Sequence, residues 1–406
     1  MSIQGELSIS LNPTDEGINT QINSTRPSLA AQIFIGKTID QTLNTIPLLF
    51  SICAKAQVNT VINAIESDGQ ISPCDSIISQ REATVLLECL REYCIQVLMI
   101  WPTFISPENT SNTDKNNVKT NNVNTNNANT NTALAKLLQS INGLIQSFDS
   151  TTLFTINDKE NIAISEQQIE MWQQCKRRLN ECIFTESLPN FQKTTVDEIL
   201  LWSSEKKSTT ASFINWLNKQ PWKYEGSSNI NLLPDIDDDA FKRELLLNNK
   251  FSSTPQWQSK CYELSWFNRA IKNTTIQKLE EEKGNGIFTR AIARIAEISY
   301  VISELNEFFF HKKILKNIKS STTGLAHTQS ARGKLTHYIE VEKQKIKHFT
   351  IVAPTEWNFH SEGVVAKSLS ALKAGSKDKL TVQAKILISM IDPCVGYQLA
   401  INEENK

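Results

Sequence analysis

From Ile287 to Phe310 apolar side chains recur at steps of three and four, through Ala291, Ile295, Ile298, Ile302 and Leu305, with Ile292 and Val301 widening the stripe. So wide an apolar surface predicts a long helix buried on most of its circumference, and such a helix needs other helices around it. Two partners follow from the same periodicity. One runs from Leu43 to Ile65, carries Cys53 on its core side and tolerates at most a kink at Pro47. The other runs from Ser76 to Ile100 and is rich in Leu, Ile and Val, with Arg81, Glu82, Glu88, Arg91 and Glu92 at its polar positions. Shorter helical patterns occupy 133–148, 165–184, 196–203 and 208–217. After Gly363 a helix is predicted to 374, and a last one, Leu380 to Met390, runs into Asp392-Pro393-Cys394. Pro393 cannot continue that helix, so Cys394 is presented from a stiff turn.

One late stretch breaks the helical pattern. Leu335, His337, Ile339 and Val341 alternate with polar residues, and after Lys343-Gln344 a second β-rich run ends in Phe349-Thr350-Ile351-Val352, which predicts a hairpin. Its open end brings Ala331-Arg332-Gly333 beside Ala353-Pro354-Thr355, so an arginine fork, a proline and a hydroxyl share one small space. Near the amino end, Glu6 to Leu11 predicts a short strand before a turn at Asn12-Pro13, and Ser28 to Phe34 a helix stopped by Gly36. Thr38 with Gln41 forms a capping-box signature for the next helix. The expected fold class is mainly α with small β elements (α+β): one domain over residues 1–406, with a helical core and a late β-hairpin. Asn109 to Thr132 is an Asn/Thr tract with almost nothing to bury, read as a disordered insertion.

Composition narrows the function classes. With 42 basic and 43 acidic residues there is no global field to draw nucleic acid, and no apolar run approaches the roughly 18 residues of a transmembrane helix. No nucleic acid, no membrane insertion and a cytoplasmic location are therefore expected. Eight cysteines without a CxxC pair read as reduced thiols rather than a disulfide framework. Cys89 and Cys94 stand about 140° apart on one helix and are assigned to packing. The tryptophans of the middle region have no basic run among them and read as core anchors, and Asp235 to Asp239 reads as the acidic first turn of a helix.

Several motifs together resemble a known family. Arg26-Pro27, the stretch Leu48 to Gln57 around Cys53, the Arg91-Glu92 helix running into Trp101-Pro102, and Ala353 to His360 with Glu362-Gly363 are similar to the large subunit of nickel–iron hydrogenases. They are closer still to the hydrogenase-like accessory proteins of the HupK type. In the catalytic subunits two CxxC motifs give four thiolates to nickel and iron. Here Ala56 stands in place of the first bridging cysteine, Tyr397 in place of the second, and Thr60 in place of a histidine. Cys53 and Cys394 remain as candidate metal ligands, and the resemblance implies no stable nickel–iron site and no hydrogen oxidation, since these metals require soft donors. Arg332, Pro354 and Thr355 match the positions that surround the cyanide ligands of the iron. The resemblance thus implies a non-catalytic scaffold or chaperone that transiently holds an Fe(CN)2CO fragment, with hydrogenase maturation proteins and the large-subunit precursor as partners. The catalytic subunits are trimmed after a histidine or arginine beyond the last motif; Gln398 to Lys406 contains neither, so no trimming is expected.

Two alternatives compete with this reading. One is an inert structural mimic of the large subunit with no bound metal. The other is an enzyme that pairs Cys53 with His327, His337 or His360.

Overall fold

A computed structural model describes residues 5–26, 30–105, 128–149, 152–156, 162–185, 191, 193–316, 318, 320, 322–373 and 375–402. Strands β1 (Leu7–Thr14) and β2 (Gly17–Ser24) precede helices α1 (Ile39–Leu49), α2 (Ala54–Asp68) and α3 (Asp75–Ile95). The middle of the chain supplies α4 (Ala128–Asp149), α5 (Glu166–Leu179), α6 (Val196–Glu205), α7 (Thr209–Asn218), α8 (Asp238–Leu247), α9 (Phe267–Ala270) and α10 (Thr274–Lys283). There follow α11 (Ile287–His311), β3 (Leu325–Ser330), β4 (Gly333–Glu342), β5 (Lys345–Val352), α12 (Pro354–Asn358), α13 (Val364–Ser370), α14 (Lys377–Ile391) and β6 (Tyr397–Ile401). The fold is mainly helical α+β, and none of the described helices is by itself long and apolar enough to cross a membrane.

The apolar stripe of Ile287–His311 is buried as its width requires, and this helix packs on α3, α9, α10 and α14. Its polar residues are buried too: Arg290 pairs with Glu263, and Arg294 lies over the Trp266 ring with its guanidinium 3.7 Å from the centroid. The helix expected from Leu43 to Ile65 is two helices bent by 103°. Pro47 removes the N–H that Leu43 would receive, the first helix ends at Phe50, and a 3-10 turn over Ser51–Cys53 redirects the chain. Cys53 is consequently the N-cap of α2, half-buried at a corner: it packs against the core as expected, but not from mid-helix. The second half of the pair packs on α1, α3, β3 and β4, away from α11.

The hairpin forms with Lys343 and Gln344 at φ 52° and 62°, the doubly left-handed turn that matches the twist of two-residue hairpins. A third strand, β3, pairs on the other side of β4, so Ala331-Arg332 is itself a tight turn between Ser330 and Gly333. Gly333 has φ 132° and lies so close to the Leu264 carbonyl that a Cβ would collide with it. A second sheet, in the order β2-β1-β6, replaces the single strand expected at the amino end. Its hairpin turns at Asp15-Glu16, between paired Thr14 and Gly17, and Pro13 stays within the strand; β6 then pairs parallel to β1. The Thr38–Gln41 capping box closes at both hydrogen bonds. Pro27, Ser28 and Leu29 lie outside the described residues, and Ala30–Phe34 forms a 3-10 turn. Of the Asn/Thr tract, 109–127 lies outside them, whereas Ala128 to Thr132 belongs to the start of α4.

Candidate functional site

Two helix ends make the site. At the amino end of α2, Glu88 on α3 accepts hydrogen bonds from the backbone N–H groups of Lys55 and Ala56 at 3.1 and 2.9 Å, a carboxyl group at the positive end of a helix dipole. Burial pushes its carboxyl up to about 7, against those two N–H groups and Arg91. Cys53 sits directly before this cap, and the Gln57 amide reaches its sulfur at 3.8 Å. At the carboxyl end of α14, Asp392 takes the left-handed conformation with φ 67°, and Pro393 then turns the chain so that Cys394 points back toward α12.

Donors converge on the Cys394 sulfur. Arg26 Nη1 lies 2.8 Å from it and the Thr355 hydroxyl 3.0 Å. Pro354 occupies the first turn of α12, where its lack of an N–H costs nothing, and so fixes the backbone that delivers Thr355. Arg26 is held in turn by Glu356 at 2.9 Å, and this pair forms part of the wall of a cleft of about 1010 Å3 that also reaches Phe50, Leu245 and His360.

Arg332 bridges α3 and the carboxyl end of α14. Its guanidinium meets Glu92 at 3.1 Å and Asp392 at 3.2 Å, while Nε is buried without a hydrogen-bond partner among the described residues. A helical turn wound wider than α, Gln96–Ile100 at the end of α3, aims Gln96 at Asp392, 2.7 Å away. Burial lowers the affinity of Arg332 for its proton, but Asp392, Glu92, Cys394 and Cys53 outweigh it, and the group stays cationic. Burial above all, with Cys394 and Glu88 adding to it, raises the Cys53 thiol.

Of the residues expected at the site, Thr355 lies against the Cys394 sulfur with Pro354 positioning it, Arg332 pairs with Asp392 two residues before Cys394, and Cys53 sits at the cap of α2. The expected open arginine fork is absent, because both Nη atoms of Arg332 already serve carboxylates. Arg26, Glu88, Glu92, Asp392 and Gln96 belong to the pocket without having been assigned to it from sequence. Glu88 and Glu92 did carry a signal, being acidic residues four apart on a helix that is otherwise apolar around them.

The histidines go elsewhere. His327 bonds Thr336 and Asp238 at 2.8 and 3.1 Å, and His337 is fully buried with its ring edge-on to Phe349. His360 meets Cys261 at 3.2 Å, so the thiol–imidazole pair of this fold uses Cys261, not Cys53. Cys89 and Cys94 are buried in packing positions, and Trp172 and Trp266 are core residues.

Comparison with known proteins extends this picture. The nickel-dependent hydrogenase family matches residues 265–396, which include Arg332, Thr355 and Cys394 but not Cys53. The hydrogenase expression/formation protein HupK of Bradyrhizobium diazoefficiens is 34% identical over 124 residues, covering 29% of this chain and 34% of that protein. The expression/formation protein HoxV of Cupriavidus necator is 28% identical over 187 residues, 42% of this chain and 47% of its own length, so the chain spans less than half of either relative. HupV of Azotobacter chroococcum, also a hydrogenase expression/formation protein, is 19% identical over 371 residues, covering 91% of this chain and 90% of that protein. Among solved structures, an NAD+-reducing NiFe hydrogenase in the H2-reduced state superposes with a TM-score of 0.59 at 10% identity, covering 94% of this chain and 93% of that one. At that identity the likeness is one of fold.

Proposed function

We propose that this chain, a HupK-type relative of the nickel–iron hydrogenase large subunit, serves hydrogenase maturation as a non-catalytic scaffold for the Fe(CN)2CO fragment. The observation that carries the reading is the convergence of Arg26 and Thr355 on the Cys394 sulfur; Cys53, at the cap of α2, is the second thiol it uses. Charge-assisted donors hold a sulfur in place for a soft metal, and the same donors suit the nitrogen ends of cyanide when an anionic fragment arrives. Cys394 is the sulfur we assign to the iron first. Cys53, kept protonated by burial, is the second ligand once the metal displaces its proton.

Two thiols cannot complete a bimetallic centre. Ala56 offers no side-chain donor, its N–H is already taken by Glu88, and Tyr397 lies in β6. Two soft donors where the enzymes have four suit a fragment that must leave again. The cargo would pass through the cleft walled by Arg26 and Glu356, with the maturation proteins and the large-subunit precursor as partners in the cytoplasm; neither nucleic acid nor a membrane is involved.

The reading is tested by host complementation. Cys394→Ser, which removes the soft donor at nearly constant volume, is expected to abolish hydrogenase maturation, and Thr355→Val to reduce it, while Cys89→Ser on the α3 scaffold leaves it intact. Full maturation with Cys394→Ser would make the pocket a relic and favour an inert mimic of the large subunit.

A further inference from the structure

Away from the two thiols, three other ligand-bearing side chains meet, one of them, His360, lining the cleft. Cys261 Sγ, a ring nitrogen of His360 and a Glu362 carboxylate oxygen all lie within 4.8 Å of one another. They come from two chain segments, each fixed by local structure. Cys261 follows a tight turn closed by hydrogen bonds between Trp257 and Lys260, with Gln258 and Ser259 both left-handed at φ 50° and 58°. Gln256, on the near side of that turn, donates to the Cys261 sulfur at 3.8 Å. His360 follows α12 in a turn closed by Gly363 N–H on its carbonyl at 2.8 Å.

The imidazole is oriented by its own segment. The Glu362 backbone N–H lies 3.1 Å from His360 Nδ1, so that nitrogen is the acceptor and the ring proton sits on Nε2. The same lone pair faces the Cys261 thiol at 3.2 Å. A neutral imidazole nitrogen, an ionisable thiol and an exposed carboxylate are thus gathered where nothing in the thiol-pair mechanism uses them. For metal–ligand bonds of about 2.0 to 2.3 Å in a tetrahedron, adjacent ligand atoms stand roughly 3.5 Å apart, so small side-chain rotations close the set around one ion.

We propose that Cys261, His360 and Glu362 form a second metal site, which takes one borderline first-row divalent cation of the zinc, cobalt or nickel kind. Sulfur and imidazole donors select these ions over magnesium and calcium, which require oxygen. Binding replaces the thiol proton: the cation bonds to sulfur, nitrogen and carboxylate, and one proton goes to solvent. The two anionic ligands then balance the ion's double charge. Three protein ligands leave a fourth position, and because Glu362 is exposed and His360 lines the cleft, that position faces solvent.

Cobalt(II) is the probe, titrated into full-length protein freed of metal by chelation, in a Cys53→Ser/Cys394→Ser background so that the thiol pair is silent. One equivalent is expected to give a sulfur-to-cobalt charge-transfer band, reversed by zinc. Adding Cys261→Ser should abolish the band, and His360→Gln or Glu362→Gln should weaken binding at least about tenfold, by analogy with losses seen even for outer-sphere partners. Cys261 and Glu362 are not buried, so these variants should keep the parent's circular dichroism and unfolding midpoint. No band in the background protein, a band that survives Cys261→Ser, or unchanged affinity in His360→Gln would each overturn the assignment.

Discussion

Two buried arginines are held in different ways. Arg81 on α3 meets both oxygens of Glu66 at 2.8 and 3.0 Å, and its remaining donors reach the carbonyls of Leu153 and Thr155, so every nitrogen has a partner. Arg332 divides its two Nη atoms between Glu92 and Asp392 at 3.1 and 3.2 Å and leaves Nε with none. The first arrangement is closed and does nothing except join α2, α3 and the 152–156 segment. The second joins α3 to the turn before Cys394 and keeps one donor, Nε, without a partner among the described residues, in a place where leaving it unpaired is expensive. A site prepared for an anionic guest looks like the second, and a structural strut looks like the first.

Breaking the closed pair should have the largest effect on stability. Arg81→Met leaves Glu66 buried without its partner and is expected to cost about 3 to 5 kcal/mol in a denaturant titration, with no change in the iron content of whatever folds. A cost below about 1 kcal/mol would mean that the closed pair is no strut at all.

The cap of α2 gives a pH signature. Burial holds the Glu88 carboxyl at about 7, raised from 4.5, so the folded chain keeps a proton there that the unfolded chain has lost. Its contribution to stability is full below pH 4.5 and is lost as the pH rises through about 7, a change of roughly 3 kcal/mol at 1.36 kcal/mol per unit. Glu88→Gln does not titrate. Gln mimics the protonated acid, so unfolding midpoints of the two proteins should lie close together at low pH and separate as the pH rises to about 7, with Glu88→Gln the more stable, and parallel curves would refute the assignment.

Arg332→Lys sharpens the comparison with a smaller effect. An ammonium can serve one carboxylate well but not both with a planar fork, so about 1 to 3 kcal/mol of stability should go, together with retention of the iron fragment. Urea unfolding and iron analysis on the same preparation separate the two. Loss of stability with iron fully retained would make Arg332 a strut like Arg81.

The same contrast explains what could be read in the sequence. The stripe of Ile287–His311, the β4–β5 hairpin and the Thr38–Gln41 box were legible because each is written within a few residues of itself. Arg332, Thr355 and the two cysteines stood out through motif resemblance. The partners did not: Glu92 lies 240 positions from Arg332, and Arg26 lies 368 from Cys394. Charges on α3 therefore read only as its polar positions, with no partners assigned, although Arg81, Glu88 and Glu92 are buried. Cys53 was misplaced because apolar periodicity continues through Pro47 and cannot show a corner three residues later. The pairing of β6 with β1 joins the two ends of the chain, and no local pattern announces it.

The central claim, that this pocket carries an iron–dicyanide–carbonyl fragment on Cys394, is tested most directly by infrared spectroscopy of anaerobically purified protein from a host making hydrogenase. Cyanide and carbonyl stretches absorb where protein does not. The account predicts two cyanide bands and one carbonyl band, accompanied by iron in near-stoichiometric amount and lost in Cys394→Ser. Iron-free protein without those bands, or bands unchanged in Cys394→Ser, would contradict it.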